Sequence, residues 1–182
     1  MSSHPTPRIY IACLAAYNSG RLHGEWIDAD QDAEYIQAAI GAMLKRSPIP
    51  NVEEWDIHDT ENFASFSGHN LELISQVGKL IAEHGEGAVN GFISHVGKDD
   101  LEAQIDNFED IYLGCFTSEA NFCEEHLGEE GGICGSAEDI RVFDWATLDK
   151  YIDWEKIAND AFINQYFSFE ERYENIHVYS RQ

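Results

Sequence analysis

The groups best suited to chemistry in this chain are its thiols, its histidines and a large number of carboxylates, and their spacing decides what they can do. Cys115, Cys123, His126 and Cys134 include one Cys-x-x-His step, but the two flanking gaps are seven residues each. Structural zinc sites bring their ligands in closer pairs, so buried or incidental thiols are the better reading. Asp28-Ala29-Asp30-Gln31-Asp32 opens like a calcium loop. The loop then needs glycine at its sixth position and glutamate at its twelfth, where this chain has Ala33 and Ala39. The plainer reading is an acidic helix N-terminus, favoured by the helix dipole. Gly85-Glu86-Gly87 imitates the start of a phosphate-binding loop, but Asn90 stands where the third glycine belongs, among acids that repel phosphate. No GxSxG elbow, HExxH helix or Walker loop is present. Carboxylate pairs fit for general acid–base work are so dense that adjacency alone carries no information. Neither a catalytic group nor a metal or cofactor is expected.

The elements that must position these groups follow from periodicity. Arg8 to Ala16 is apolar and β-compatible, with Cys13 read as core. Asn18-Ser19-Gly20 is a turn signal, and Gly24 to Ile27 forms the returning strand. A helix capped by Asp28 or Asp30 follows, with Ile36, Ile40, Met43 and Leu44 on one face and Lys45-Arg46 at its C-terminal end. Pro48 and Pro50 end it, and Val52 to His58 reads as a third strand. From Phe63 the pattern turns helical, with Leu71, Ile74, Val77 and Ile81 three or four apart and Gly85, Gly87 and Gly91 breaking the run. Lys98-Asp99-Asp100 opens a short helix carrying Leu101 and Ile105. Ile111 to Phe116 reads as a buried strand, and Ser118 caps a helix running to Leu127. Gly128 to Gly135 is a Gly- and Glu-rich loop. A longer helix from about Thr147 gathers Leu148, Tyr151, Ile152, Ile157 and Phe162, and Ile176 to Tyr179 reads as an edge strand. The fold expected is α+β, in three small domains. They are an α+β domain over 1–62, a helical domain over 63–107 and an α+β domain over 108–182.

Charge bounds the function more tightly than any motif. Thirty-four Asp and Glu stand against 11 Lys and Arg in 182 residues, a net charge of -23. Between Lys98 and Arg141 there is no Lys or Arg at all, and Leu22–Leu44 and Ser47–Gly78 also hold acids without cations. Self-repulsion on this scale opposes compaction, so a chain that keeps it has a use for it. DNA, RNA and anionic membranes present like charge and are disfavoured as direct partners. The natural complement is a strongly basic surface, and the commonest such surface is built to hold nucleic acid. Yet 43% of the chain is hydrophobic and 12% aromatic, which separates it from a disordered acidic tail. Trp26, Trp55, Tyr112, Phe143 and Trp145 are read as core or interface, because a base-stacking site needs a basic groove beside it. The start, Met1 to Ala12, lacks the pattern of a secretory signal, so a cytoplasmic location with reduced thiols is expected.

Particular stretches narrow this further. Arg8 to Asn18, then Leu22-His23-Gly24 and Trp26-Ile27-Asp28-Ala29, closely resemble the ArdA-type antirestriction proteins. Glu53 to Asp59, Tyr112-Leu113-Gly114 and Phe162 to Phe167 resemble the same family. The resemblance implies an elongated chain of three small domains with an acidic surface, a homodimeric mimic of bent B-form DNA carried by a plasmid or conjugative transposon. Such a protein occupies the DNA-binding groove of type I restriction–modification enzymes, on their specificity and modification subunits, and so protects incoming DNA. The chain departs from the family pattern between Cys123 and Asp139, where the Gly-rich loop reads as an insertion.

On this reading the phosphate-like acids are Glu25, Asp28, Asp30, Asp32, Glu34, Glu53, Glu54, Asp59, Glu61, Glu83 and Glu86 in the first half. Asp99, Asp100, Glu102, Asp106, Glu109, Asp110, Glu119, Glu124, Glu125, Glu129 and Glu130 continue the series. Apolar candidates for the dimer contact are Tyr112, Leu113, Phe116 and Trp145. Two copies, each with a net charge of -23, match the phosphates of roughly 20–25 base pairs. The competing reading is an acidic adaptor or chaperone for basic DNA- or RNA-binding proteins. Both predict salt-sensitive binding; competition with duplex DNA separates them.

Overall fold

In a computed structural model, residues 4–64, 68–129 and 149–181 are described. The fold is mixed α+β with two small antiparallel sheets, and the chain divides into two compact units, Met1–Asp106 and Asn107–Gln182. The 62/63 boundary read from the sequence falls inside the first unit.

The first unit opens with β1 (Arg8–Cys13), whose alternating apolar residues bury Ile9 and Ile11 completely. The strand stops at Cys13 rather than Ala16. A short helix, α1 (Leu14–Asn18), turns the chain, and Gly20 at φ +73° closes the turn that the Asn-Ser-Gly signal marks. β2 (Gly24–Asp28) returns antiparallel to β1, and β3 (Trp55–Glu61) pairs on β1's other side, giving the order β2-β1-β3. β1 is central because it is the most apolar of the three; the outer strands carry the acids. Between β2 and β3 lies α2 (Ala33–Lys45), burying Ile36, Ile40 and Met43. Its N-cap is Asp32, not Asp28 or Asp30, because Asp28 is still paired in β2 opposite Arg8.

The helical expectation after Phe63 is met by α3 (Leu71–His84), which buries Leu73, Ile74, Val77 and Ile81. Asn70 caps it, its side chain accepting from the Glu72 and Leu73 amides. Gly85 at φ +91° ends it, in a backbone conformation that disfavours residues with a Cβ. Gly87 and Gly91, read as breaks, instead lie buried inside α4 (Glu86–Val96). Burial beside Ala88, Val89 and Phe92 outweighs glycine's weak helix propensity. Two short turns follow, α5 (Leu101–Gln104) and a 3-10 turn over Ile105–Asn107.

α3 presses directly on the segment after β2. A Cβ at Gly78 would overlap the Ala29 carbonyl and lie 2.9 Å from the Asp30 amide nitrogen. Nearby, Ser75 Oγ donates to the Gln31 carbonyl at 2.6 Å.

In the second unit, α6 (Phe108–Ile111) leads into β4 (Tyr112–Phe116). α7 (Glu119–Cys123) starts at Ser118, whose side chain accepts from the Asn121 amide as its sequence position predicts. A π turn continues it over Glu124–Glu129. After a 3-10 turn at Asp149–Tyr151, α8 spans Trp154–Asn164, capped by Asp153. The expected helix from Thr147 therefore begins at Trp154; Thr147 and Leu148 lie outside the described residues. β5 (Tyr166–Arg172) and β6 (Asn175–Ser180) form a hairpin that turns through Tyr173-Glu174, with Glu174 at φ +56°. The sheet order is β4-β6-β5, so Ile176 to Tyr179 lies on the central strand, correcting the edge-strand expectation. β6 holds the centre because Val178 and Tyr179 are fully buried, which only a strand with a neighbour on each side achieves in so small a sheet. Its core joins Phe122, Cys123, Ala158, Ala161 and Val178.

Candidate functional site

Every described aspartate and glutamate side chain is exposed or half-buried; Ser75 and His177 are the buried polar residues of the described chain. Several of the carboxylates are met by a cation.

One group is neutralised. Arg8, on the central strand, lies opposite Asp28 on one side and Glu61 on the other, at 3.3 Å and 3.5 Å, with its guanidinium 5.5 Å from the Trp26 ring centre. Arg46, just past α2, pairs with Glu25 of β2 at 2.5 Å. Lys79 of α3 reaches Asp32 at 2.6 Å, and that hydrogen bond and charge hold the Asp32 carboxyl below its ordinary value. Four of the acids singled out from the sequence, Glu25, Asp28, Asp32 and Glu61, are thus ion-paired.

The remaining described acids are exposed or half-buried, and some of them are held by neutral donors. Glu102 accepts from Asn70 Nδ2 at 2.9 Å and Asp106 from Gln76 Nε2 at 3.3 Å, while Asp99 and Asp100 are exposed in the turn before α5. Among the described residues no cation pairs with these four. Asp30 is half-buried and accepts from Gln31 Nε2 at 2.8 Å. Glu34 lies in the first turn of α2, Glu53 and Glu54 precede β3, and Asp59 lies on it, all exposed. Glu83 ends α3 and Glu86 opens α4, both exposed.

Further along, Glu109 and Asp110 are exposed in α6. Glu119 is half-buried and accepts from Ser168 Oγ at 2.5 Å, whereas Glu124 and exposed Glu125 lie in the π turn, Glu125 accepting from Asn121 at 2.8 Å. Glu129 closes that turn. Glu130 and Trp145 lie outside the described residues.

The sequence reading passed over Glu72, Glu155, Glu170, Glu171 and Glu174, which are equally exposed. Glu155, Glu170 and Glu174 join Glu119 around a groove of about 530 Å³ in the second unit. It also passed over Asn70 and Gln76, which hold carboxylates in place. The Asn70-Leu71-Glu72 start of α3 was the available signal for a cap, but not for the contact with Glu102.

The calcium-like stretch from Asp28 to Asp32 does not gather its carboxylates. Asp28 and Asp32 turn to Arg8 and Lys79 rather than toward one point. Cys123 is buried in the core, and burial followed by Glu119 pushes its thiol up to about 11. Cys115 is exposed and donates to Asn175 Oδ1 at 2.7 Å, its thiol also raised, first by burial and then by Glu171. An activated thiol needs a shift in the opposite direction. His126 stacks on Phe122, 4.8 Å between centroids, and Cys134 lies outside the described residues.

Of the expected dimer residues, Tyr112 bonds His177 Nδ1 at 3.0 Å, while Leu113 and Phe116 pack on the second unit's own core. Among the described residues no helix is long and apolar enough to cross a membrane.

A family model described as an antirestriction protein (ArdA) matches residues 9–175, most of the chain. No match was found among curated proteins.

Proposed function

The chain belongs to the ArdA family of antirestriction proteins, and on that premise we propose that it works as a stand-in for B-form DNA. Its carboxylates take the places of phosphates and fill the DNA-binding groove of a type I restriction–modification enzyme, on the specificity and modification subunits. Restriction of incoming mobile-element DNA, on a plasmid or conjugative transposon, is blocked without any catalytic step by this chain. The active form is a cytoplasmic homodimer, because one chain carries too little charge to imitate a long DNA footprint. Its three functional segments are 1–62, 63–107 and 108–182.

The observation that carries this reading is the placement of the acids. None of the acids whose side chains are described is buried, and among the described residues no cation pairs with an acid of the run from Asp99 to Asp106. Acids one helical turn apart lie about 5–6 Å apart, a spacing comparable with successive phosphates on one strand. The neutralised group, on β2, β3 and the start of α2, serves a different end. It fixes the frame on which the free carboxylates are displayed.

The test is competition. Duplex DNA should displace this protein from a purified type I methyltransferase core, and rising salt should weaken the complex. Simultaneous saturating binding of duplex and this protein would refute the mimic mechanism.

A further inference from the structure

A carboxylate can be fixed in place in two ways that differ in what they leave of its charge. A Lys or Arg holds it and cancels it, whereas an Asn or Gln side chain donates an N–H and carries no charge of its own. α3 uses both. Lys79 takes Asp32 at 2.6 Å and cancels it. Asn70, the N-cap, and Gln76, exposed on the helix, turn instead to the run from Asp99 to Asp106, with which no described cation pairs. Asn70 Nδ2 donates to Glu102 Oε1 at 2.9 Å, and Gln76 Nε2 donates to Asp106 Oδ1 at 3.3 Å. The Asn70 carboxamide is itself fixed, because its Oδ1 accepts from the Glu72 and Leu73 amides. That leaves Nδ2 directed at Glu102. The backbone of the run is anchored separately, since Leu101 and Ile105, one residue before each held acid, are buried while Glu102 and Asp106 are exposed.

We infer that Asn70 and Gln76 are positioning residues, which set the carboxylates of Glu102 and Asp106 in place for a basic partner while leaving both charges uncancelled. This rests on the proposed function and deepens it. An exposed Asp or Glu side chain samples several rotamers in water, and a partner that immobilises it meets that entropy at the moment of binding. A carboxylate already held by the fold presents a fixed charge, and the ordering has been met on folding. A cation at position 76 would hold Asp106 equally well, but it would remove the charge that attracts the partner. Only a neutral donor satisfies both requirements. The acids of β2 and β3 make the contrast. Glu25, Asp28 and Glu61 are held by arginines, which serves the frame and gives up the charge. Two consequences separate positioning from charge. Removing an amide should weaken binding with the number of interacting charges unchanged, and replacing it by a cation should lower that number.

The experiment measures binding of the full chain to a purified type I methyltransferase core, without DNA, over a series of salt concentrations. Asn70→Ser keeps a comparable helix cap but cannot reach Glu102, and Gln76→Met keeps the shape of the side chain without its donor. Each should weaken binding about two- to threefold, with the slope of log Kd against log salt at its wild-type value because no charge has changed. Gln76→Lys holds Asp106 and cancels it, so that slope should fall by about one. A merely structural role for the Asn70 cap is separated by a double-mutant cycle. In a Glu102→Gln background, Asn70→Ser should weaken binding no further, whereas a role in helix stability would persist. Asn70→Ser and Gln76→Met chains that bind as tightly as wild type overturn the inference. So does an Asn70→Ser loss undiminished in the Glu102→Gln background, or a Gln76→Lys slope equal to that of wild type. No duplex is present in these measurements, so their outcome does not depend on whether duplex competes, and the two readings fail separately.

Discussion

Replacing Gly78 by alanine should destabilise the first unit, although the same change in most helices stabilises. In the interior of a helix, alanine is favoured over glycine by about 1 kcal/mol. At Gly78 the new Cβ would overlap the Ala29 carbonyl, and the obstacle is backbone, not the end of a side chain. That backbone is pinned. The Ala29 amide donates to the Pro7 carbonyl at 2.9 Å, Ser75 holds the Gln31 carbonyl at 2.6 Å, and Lys79 holds Asp32 at 2.6 Å. Relief requires moving α3 away and loosening these links together. Overpacking costs about 1–3 kcal/mol or more, and an overlap with fixed backbone belongs at or beyond the upper end. Set against the propensity gain, the net loss should be about 2 kcal/mol. Gly41 of α2 is the control, since a Cβ there meets nothing within 4 Å. Gly41→Ala should stabilise by about 0.5–1 kcal/mol. Urea melts followed by circular dichroism compare the two. If Gly78→Ala raised the midpoint as Gly41→Ala does, the close seating of α3 on residues 29–32 would be wrong.

Two further outcomes are expected. Asp32 titrates below its ordinary carboxylate value in the folded chain because Lys79 bonds and attracts it. Its contribution is therefore complete above the unfolded value of about 4 and is lost as pH falls through the lower folded one. Asp32→Asn should make stability less steeply dependent on pH in that acid window, measured by melting at a series of pH values; an unchanged slope would refute the pairing. Second, inhibition should be spread over many acids, because one solvent-screened contact is worth under about 1 kcal/mol. Asp99→Asn, Glu102→Gln or Asp106→Asn alone should barely weaken inhibition of a type I enzyme, whereas neutralising Asp99, Asp100, Glu102 and Asp106 together should weaken it strongly and flatten its salt dependence. Abolition by any single one of these changes, with the fold intact, would contradict distributed mimicry.

Much of this protein is local and could be read directly from the chain. The alternation of Ile9 and Ile11, the turn at Gly20, the apolar face of α2 and α3, and the Ser118 cap depend on neighbours within a few residues. The exposure of the acids follows likewise, since an unpaired carboxylate resists burial wherever it falls. The family is legible for the same reason, through contiguous stretches such as Arg8 to Asn18. What the sequence left undecided are relations between distant segments. Tyr166 to Arg172 hides as a strand because Glu170, Glu171 and Arg172 break the apolar alternation, and only pairing with β6 makes it one. That pairing also moves β6 from the edge to the centre. Gly91 sits inside a helix because its neighbours are buried, an effect of packing that local propensity does not contain. Which carboxylates are cancelled was likewise settled in three dimensions. Arg8 meets Glu61 across a sheet, and Lys79 meets Asp32 from another helix. Charge density is a property of composition, but the division into paired and free carboxylates depends on strand register and helix seating. Both are set by the whole core at once, and no short window of sequence contains them.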